Sequence, residues 1–166
     1  MDLLDTNWLS QLEVAAKVVI AGVLGGLIGL ERELANRPAG LRTHAVLAAA
    51  AALLVGVTDL LVGHFAADTS PAILRADPIR VVEAIVTGVG FIGAGTIFRH
   101  RHDDSVEGLT TAASMLLVAA IGVAVAMRQL LLAGLVTVLT LALLRTVGKL
   151  AQNAALARES REKESP

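Results

Sequence analysis

The stretch GVGFIGAGTIF, residues 88–98, decides how this chain folds. It is apolar enough to lie in a membrane, yet four of its eleven residues are glycine. Glycine weakens a helix, so a helix that only fills a bilayer has no use for this density of glycine. In membranes glycine lets a second backbone approach closely, or lets a helix break where it lines a binding site. The stretch therefore predicts a membrane helix with a packing or binding task.

The composition of the whole chain agrees with a membrane protein. The 166 residues are 55% hydrophobic with a mean hydropathy of +0.69, which is too apolar for an ordinary soluble domain. A net charge of −1 and an aromatic content of 2% argue against nucleic-acid binding. The absence of cysteine excludes disulfides, thiolate metal sites and a cysteine nucleophile. Because the sequence contains no nucleophile–base, phosphate-loop or zinc-protease motif, we expect neither an enzyme nor a cofactor.

Five apolar segments divide the chain, each near the ~20 residues that cross a bilayer as a helix. They are Val14–Leu30, Thr43–Val62, Val81–Phe98, Leu109–Met127 and Gln129–Val147. We therefore predict an all-α integral membrane fold with five transmembrane helices. A transmembrane domain is expected over residues 1–147 and a short polar cytoplasmic tail over residues 148–166, with the last helix continuing to about Arg158.

The distribution of charge and of short motifs predicts how the spans are arranged. Ten of the 14 Lys and Arg residues fall on the side of the C-terminus, so the N-terminus is expected outside and the C-terminus in the cytoplasm. Similar stretches, Gly40–Ala45 and Gly108–Ala113, open the second and fourth spans. They suggest a parallel repeat of helices 1–2 and 3–4, as in some transporters. Chance similarity between glycine-rich helices is the alternative.

Glycines spaced for close helix packing occur in the first and third spans. Residues four apart share a helix face, and small residues there form a groove for a partner helix. We expect these two faces to pack against each other, while a homodimer face or an ion-binding break in the third span are the alternatives. The predicted packing residues are Gly22, Gly25, Gly26, Gly29, Gly88, Gly90, Gly93 and Gly95.

Polar residues at the cytoplasmic ends of the spans form the first candidate site. Positive-inside anchoring explains some arginines there, and threonine can bond back to helix carbonyls. Arg42 and Thr43 lead directly into an apolar run, which anchoring explains less well. The alternative is a shared polar pocket at the inner ends of spans 1 to 4. Its predicted residues are Glu31, Arg42, Thr43, Thr110 and Thr111.

A second candidate site lies at the start of the third span. Asp77 and Pro78 suit a helix cap and first turn, which is sufficient to explain both. Glu83 lies three residues after Arg80 and could pair with it, and an ionisable group inside a span is by default a functional hypothesis. The predicted outer site is therefore Asp77, Arg80 and Glu83. Asp59 and the Glu13/Lys17 pair, at similar depth, could join them in an outward-facing polar cluster, and snorkelling to the interface is the alternative.

The run His100-Arg101-His102-Asp103-Asp104 carries side chains of the kind that bind metals. However, the loop is short and has no second anchoring cluster of ligands. A solvated loop is favoured, and no metal ligand is assigned.

Three of these motifs, in this order, resemble the signatures of the MgtC/SapB family of bacterial membrane proteins. They are Gly25–Glu33 with Arg37–His44, then Asp77–Arg80 with Val86–Ile97, then Gly108–Ser114. The resemblance covers about residues 15 to 145 and implies a five-span domain of the bacterial inner membrane. Members of the family are linked to growth at low magnesium and, in pathogens, to survival inside macrophages. Some are thought to act by binding other membrane machinery, including the F-type ATP synthase.

The resemblance therefore implies a non-enzymatic protein that modulates a membrane partner or magnesium homeostasis. The expected partners are the lipid bilayer, a membrane complex such as the F-type ATP synthase, and a second copy of the chain. Because the sequence ends soon after the fifth span, we expect no cytoplasmic ACT-like domain of the kind that some members carry. Two other functions stay open, namely an ion transporter or channel and a structural membrane dimer without a ligand.

Overall fold

The computed structural model of the protein describes residues 8–68, 77–99 and 106–164. This part of the chain forms five helices, as predicted, and one very short antiparallel hairpin. The hairpin strands are β1 (Phe98–Arg99) and β2 (Val106–Glu107), with Phe98 opposite Glu107. The helices are α1 (Trp8–Leu34), α2 (Leu41–Asp68), α3 (Pro78–Ala94), α4 (Leu109–Ala126) and α5 (Leu130–Glu164).

The membrane character of the fold is confirmed by the length and apolarity of its helices. Among the described residues, four helical segments are long and apolar enough to cross a bilayer: Trp8–Leu34, Leu41–Gly63, Leu109–Ala126 and Leu130–Gly148. Large apolar side chains cover their outer faces, with Leu131 79% exposed and Leu139 67% exposed. Since only lipid can cover such faces at low cost, the chain is a multi-pass membrane protein in contact with the bilayer. The last helix continues through the polar tail to Glu164, beyond Arg158.

The third helix ends earlier than predicted. We expected a span from Val81 to Phe98, but α3 ends at Ala94 and β1 follows after a turn. The Thr96 hydroxyl donates to the Gly93 carbonyl at 2.7 Å, a local bond that competes with helix continuation. At 17 residues α3 is about 25 Å long, which is less than the ~30 Å of a bilayer's hydrocarbon core.

The start of α3 and the ends of α1 and α4 are fixed by local hydrogen bonds. The Asp77 carboxylate accepts from the Ile79 N–H at 3.0 Å, so the predicted cap is confirmed. Two helices end in a left-handed residue that is not glycine, Asn36 after α1 and Arg128 after α4. In each, the next residue donates its N–H to a carbonyl five residues back, which closes the helix end.

The helices pack around α4, which contacts α1, α2, α3 and α5. The most extensive contact joins α1 and α2, whose connection Ala35–Gly40 is short. The main core lies between α1, α2, α4 and α5 and includes Ala21, Ala48 and Val118. A second core lies where α3 meets α2 and α4, around Ile85 and Met115. After the predicted orientation, we call the end of the bundle with Gly40 the inner end and the end with Asp77 the outer end.

The prediction that the glycine faces of the first and third spans pack together is wrong. The α1 glycines face α2 instead. A Cβ added at Gly25 would lie 2.6 Å from the His44 carbonyl oxygen, and one at Gly29 would lie 2.7 Å from the Gly40 carbonyl oxygen. Gly22 and Gly26 make ordinary contacts with the same helix.

The α3 glycines are used differently. A Cβ at Gly88 or Gly90 would meet nothing within 4 Å, while one at Gly93 would lie 3.3 Å from the Ala112 Cβ of α4. Gly95 lies in the turn after α3. The sequence pattern could not show this, because α3 leans on α4 and α2 and leaves most of its glycine face open.

Candidate functional site

A buried hydrogen-bonded group lies at the inner end, between α2 and α4. His44 is fully buried, with Nδ1 3.0 Å from the Gly40 carbonyl oxygen and Nε2 2.9 Å from the Ser114 Oγ. The Ser114 hydroxyl also lies 2.8 Å from the Thr111 carbonyl oxygen, to which it can donate. A neutral imidazole has one N–H, and a carbonyl oxygen can only accept, so the contact with Gly40 assigns the proton to Nδ1 and leaves Nε2 as the acceptor. The Ser114 hydroxyl can therefore donate its proton either to His44 Nε2 or to the Thr111 carbonyl oxygen, and it can switch between these two acceptors.

Two charged residues at the end of α1 adjoin this group. Arg32 is only 5% exposed, and among the described residues its Nε has no hydrogen-bond partner. It lies on the helix face of Gly25, Ile28 and Gly29, the face that packs on α2. Neighbouring Glu31 has a buried Oε2 that also lacks a partner in this part of the chain. Buried polar atoms are normally satisfied, so these two indicate a place where water, an ion or a partner group belongs.

We call Glu31, Arg32, His44, Thr111 and Ser114 the inner cluster. Of the five residues predicted there, the structure buries Thr111 and the Oε2 atom of Glu31. The other three, Arg42, Thr43 and Thr110, are exposed on the bundle surface.

The sequence prediction missed Arg32, His44 and Ser114. Helical spacing could have found Arg32. It follows Gly25 by seven residues and Gly29 by three, so it lies on the same face of α1 as these packing glycines.

A second group of charges assembles at the outer end. Glu13 Oε1 lies 3.0 Å from Lys17 Nζ and 2.7 Å from Arg128 Nη2. These residues and Asp59 line an open cavity of about 340 Å³. We call Glu13, Lys17, Asp59 and Arg128 the outer cluster. The sequence grouped the first three, whereas Arg128 was missed because its position depends on the left-handed turn after α4.

The residues predicted for the outer site do not join that cluster. Asp77 serves as the cap of α3, and Arg80 and Glu83 are both exposed. Within the described residues no carboxylate lies within 4 Å of Arg80, so the expected pair with Glu83 is not formed. Arg80 instead lines a groove between α2 and α3.

Metal-ligand chemistry has little support in the part of the chain that the structure describes. Among residues 8–68, 77–99 and 106–164, no group of three or more His, Asp or Glu side chains could hold a metal ion. The run His100–Asp104 lies outside the described residues.

The inner and outer clusters are separated by closely packed apolar side chains. Ala21, Ala48, Val118 and Val125 lie in this layer, and each is at most 1% exposed. The helices approach so closely that a Cβ at Gly122 would collide with the Ala48 carbonyl oxygen. The other buried threonines, on α5, bond back to carbonyls of their own helix. Within the described residues, no polar route joins the two ends.

Comparison with known proteins gives one family and several relatives. The model of the MgtC family matches residues 18–153. Protein SapB of Bacillus subtilis is 40% identical over 71% of this chain and 49% of its own length. Protein MgtC of Brucella abortus is 42% identical over 70% of this chain and 43% of its own length. A protein of Escherichia coli K12 named "Putative magnesium transporter YhiD" is 38% identical over 68% of this chain and 50% of its own length.

The chain therefore spans about half the length of the curated relatives it matches. No solved structure matches it.

Proposed function

The chain belongs to the MgtC family, and from this premise we propose that it modulates magnesium homeostasis or a membrane partner without being an enzyme. We place it in the inner membrane of a bacterium. The family match and the name of the Escherichia coli relative support the link to magnesium. The relatives are about twice as long, so we assign their activity to this chain only as a proposal.

One observation favours a modulator over a carrier. A carrier needs a polar site near the middle of the bilayer that opens to either side. Here the polar groups collect at the two ends, and tightly packed alanine, glycine and valine lie between them. Such a layer does not offer an ion a path through the bundle, so it supports a protein that binds a partner at one end.

The inner end is the surface that we assign to the partner. Arg42, Thr43 and Thr110 are exposed there, next to the inner cluster and its unsatisfied Glu31 and Arg32 atoms. Exposed arginine suits a carboxylate on another protein. A complex such as the F-type ATP synthase, or a second copy of the chain, is the kind of partner that this surface would contact.

Reconstitution tests the proposal. Vesicles containing the purified chain and a trapped magnesium indicator should show no more Mg²⁺ entry than protein-free vesicles. In membranes of a host that needs the protein at low magnesium, a membrane complex should co-purify with the chain. Arg42→Glu should lose that complex, whereas Arg145→Glu, a matched change on exposed α5, should retain it. Saturable Mg²⁺ entry that disappears in Glu83→Ala or Glu31→Gln would overturn the modulator.

Two other functions are favoured by specific observations. The name of YhiD and the buried, unpaired Glu31 Oε2 favour a magnesium transporter. The open face of α3 at Gly90 favours a structural dimer without a ligand. The dimer predicts that Gly90→Leu abolishes self-association while Arg80→Ala has no effect, which cross-linking in native membranes measures.

A further inference from the structure

We propose that the groove between α2 and α3 binds an acyl chain of an anionic phospholipid, with the phosphate of its headgroup held by Arg80. This site is separate from the inner cluster and from the function proposed above.

The groove is apolar along its length and polar at one end. It has a volume of about 510 Å³, and Leu47, Leu54, Ile85 and Ile92 contribute to its walls. Gly88 lies on its α3 side, where an added Cβ would meet nothing within 4 Å. Small residues on α3 therefore keep the groove open, and its lining matches hydrocarbon.

Arg80 provides the charge at the mouth. It lies in the first turn of α3, at the outer end of the groove, and its side chain is exposed. Among the residues that the structure describes, no carboxylate lies within 4 Å of its guanidinium. Guanidinium binds phosphate through paired hydrogen bonds, and basic residues at membrane surfaces attract anionic lipids.

The short length of α3 brings a headgroup to Arg80. A helix of about 25 Å falls short of the ~30 Å hydrocarbon core. The bilayer beside it therefore becomes locally thinner, and the lipid phosphates move toward the helix ends. The acyl chain of such a lipid then runs along α3, from Arg80 towards Ile92.

The charge at the mouth of the groove favours a lipid over a helix. The groove of about 510 Å³ has apolar walls with Arg80 at one end, which matches the acyl chain and the phosphate of one lipid. An apolar partner helix would offer Arg80 no anionic group.

Spin-labelled lipids test this site in the full chain. The protein is reconstituted in phosphatidylcholine vesicles containing trace spin-labelled phosphatidylglycerol or phosphatidylcholine, and electron paramagnetic resonance measures the lipid that is immobilised. The wild-type chain should favour phosphatidylglycerol. Arg80→Gln should reduce that preference about fivefold, the size expected for one basic residue that contacts an anionic headgroup. Arg145→Gln, on exposed α5 and outside the groove, should reduce it clearly less.

Two glycine variants locate the acyl chain. Gly88→Leu fills the groove and should lower the immobilised fraction of both lipids, whereas Gly90→Leu, also in open space on α3 but outside the groove, should leave it unchanged. Circular dichroism checks that both variants fold. Gly88→Val places a smaller side chain in the groove and should lower the immobilised fraction by less than Gly88→Leu does.

Three results would overturn the site. One is an unchanged phosphatidylglycerol preference in Arg80→Gln. Another is an equal effect of the two leucine variants. The third is self-association that is lost in Gly88→Leu while lipid immobilisation persists, which would assign the groove to a helix.

Discussion

The hairpin of α1 and α2 and the helix α3 use the same kind of sequence in opposite ways. Both carry glycine or alanine four residues apart in an apolar helix. In the hairpin, Gly25 and Gly29 let the two backbones meet, and any side chain there would collide with the His44 or Gly40 carbonyl. In α3, Gly88 and Gly90 meet nothing within 4 Å. Small-residue spacing therefore permits close packing but does not choose a partner.

The difference follows from length and connection. Two long helices joined by the short Ala35–Gly40 turn must lie side by side, so the faces that carry their small residues come into contact. The connection from α3 to α4 is longer and contains the β1–β2 hairpin, and α3 itself is the shortest of the described helices. The two hairpins of the suggested repeat therefore differ in how they pack, and the repeat stays a prediction.

The largest expected effect would come from filling the hairpin contact. Gly25→Leu should lower the free energy of unfolding by about 3 kcal/mol or more, because its side chain must displace the His44 carbonyl and the Ala48 Cβ. Gly88→Leu, the same change on α3, should not lower it, because an added side chain meets open space and leucine favours a helix more than glycine does. Unfolding in mixed micelles with increasing sodium dodecyl sulfate, followed by circular dichroism, measures both. Equal losses would remove the contrast between the two regions.

A smaller effect is expected from the bond that ties α2 to α4. Ser114→Ala leaves the buried His44 Nε2 without its partner, which should cost about 1–3 kcal/mol in the same assay. Thr110→Ala, on the exposed side of the same helix, is the matched control and should stay within about 0.5 kcal/mol. If the two variants were equally mild, the inner cluster would not stabilise the hairpin against α4.

Loss of the α3 cap should lower stability by less, and the effect should be confined mainly to α3. Asp77→Ala removes the acceptor of the Ile79 N–H and should cost about 1 kcal/mol. Hydrogen exchange should show faster opening of the first turn of α3, with α1 and α2 unchanged. Asp77→Asn keeps a good capping group and should retain protection. Loss of protection in Asp77→Asn would show that the negative charge, and not the cap, holds the helix start.

The smallest effect is expected at the outer cluster. Glu13→Gln removes the charge that pairs with Lys17 and Arg128, but the Glu13 and Arg128 side chains are 46% and 73% exposed, so solvent screens these charges. We expect a fall in melting temperature of about 2 °C or less, and less again at high salt. Glu107→Gln, on exposed β2, serves as the control. A salt-independent fall well beyond that of the control would place these charges among the interactions that hold the bundle.

Much of the fold could be predicted from the sequence. Hydropathy gave five helices, and the Asp77-Pro78 pair correctly marked the start of α3. The ordered motifs gave the family, which the match over residues 18–153 confirms. These features depend on local composition and on the identity of neighbouring residues, which any single sequence displays.

The candidate site was only partly predictable. Glu31 and Thr111 are partly or fully buried in the inner cluster, but Arg42, Thr43 and Thr110 lie on the surface, and Arg32, His44 and Ser114 were missed. A polar residue near a helix end looks the same in sequence whether its side chain turns into the bundle or out of it. Its side is fixed by helical phase relative to the packing glycines and by which helix packs there.

The sequence by itself determined that the chain enters the membrane several times, where most helices run and which family it joins. Only the tertiary structure decided that the glycines of α1 meet α2, that those of α3 stay open, and that α3 stops at Ala94. The physical reason is that hydrophobicity and helix capping act over a few residues of one segment. Close packing requires two backbones to come within contact distance, and that depends on every connection and helix length in the bundle.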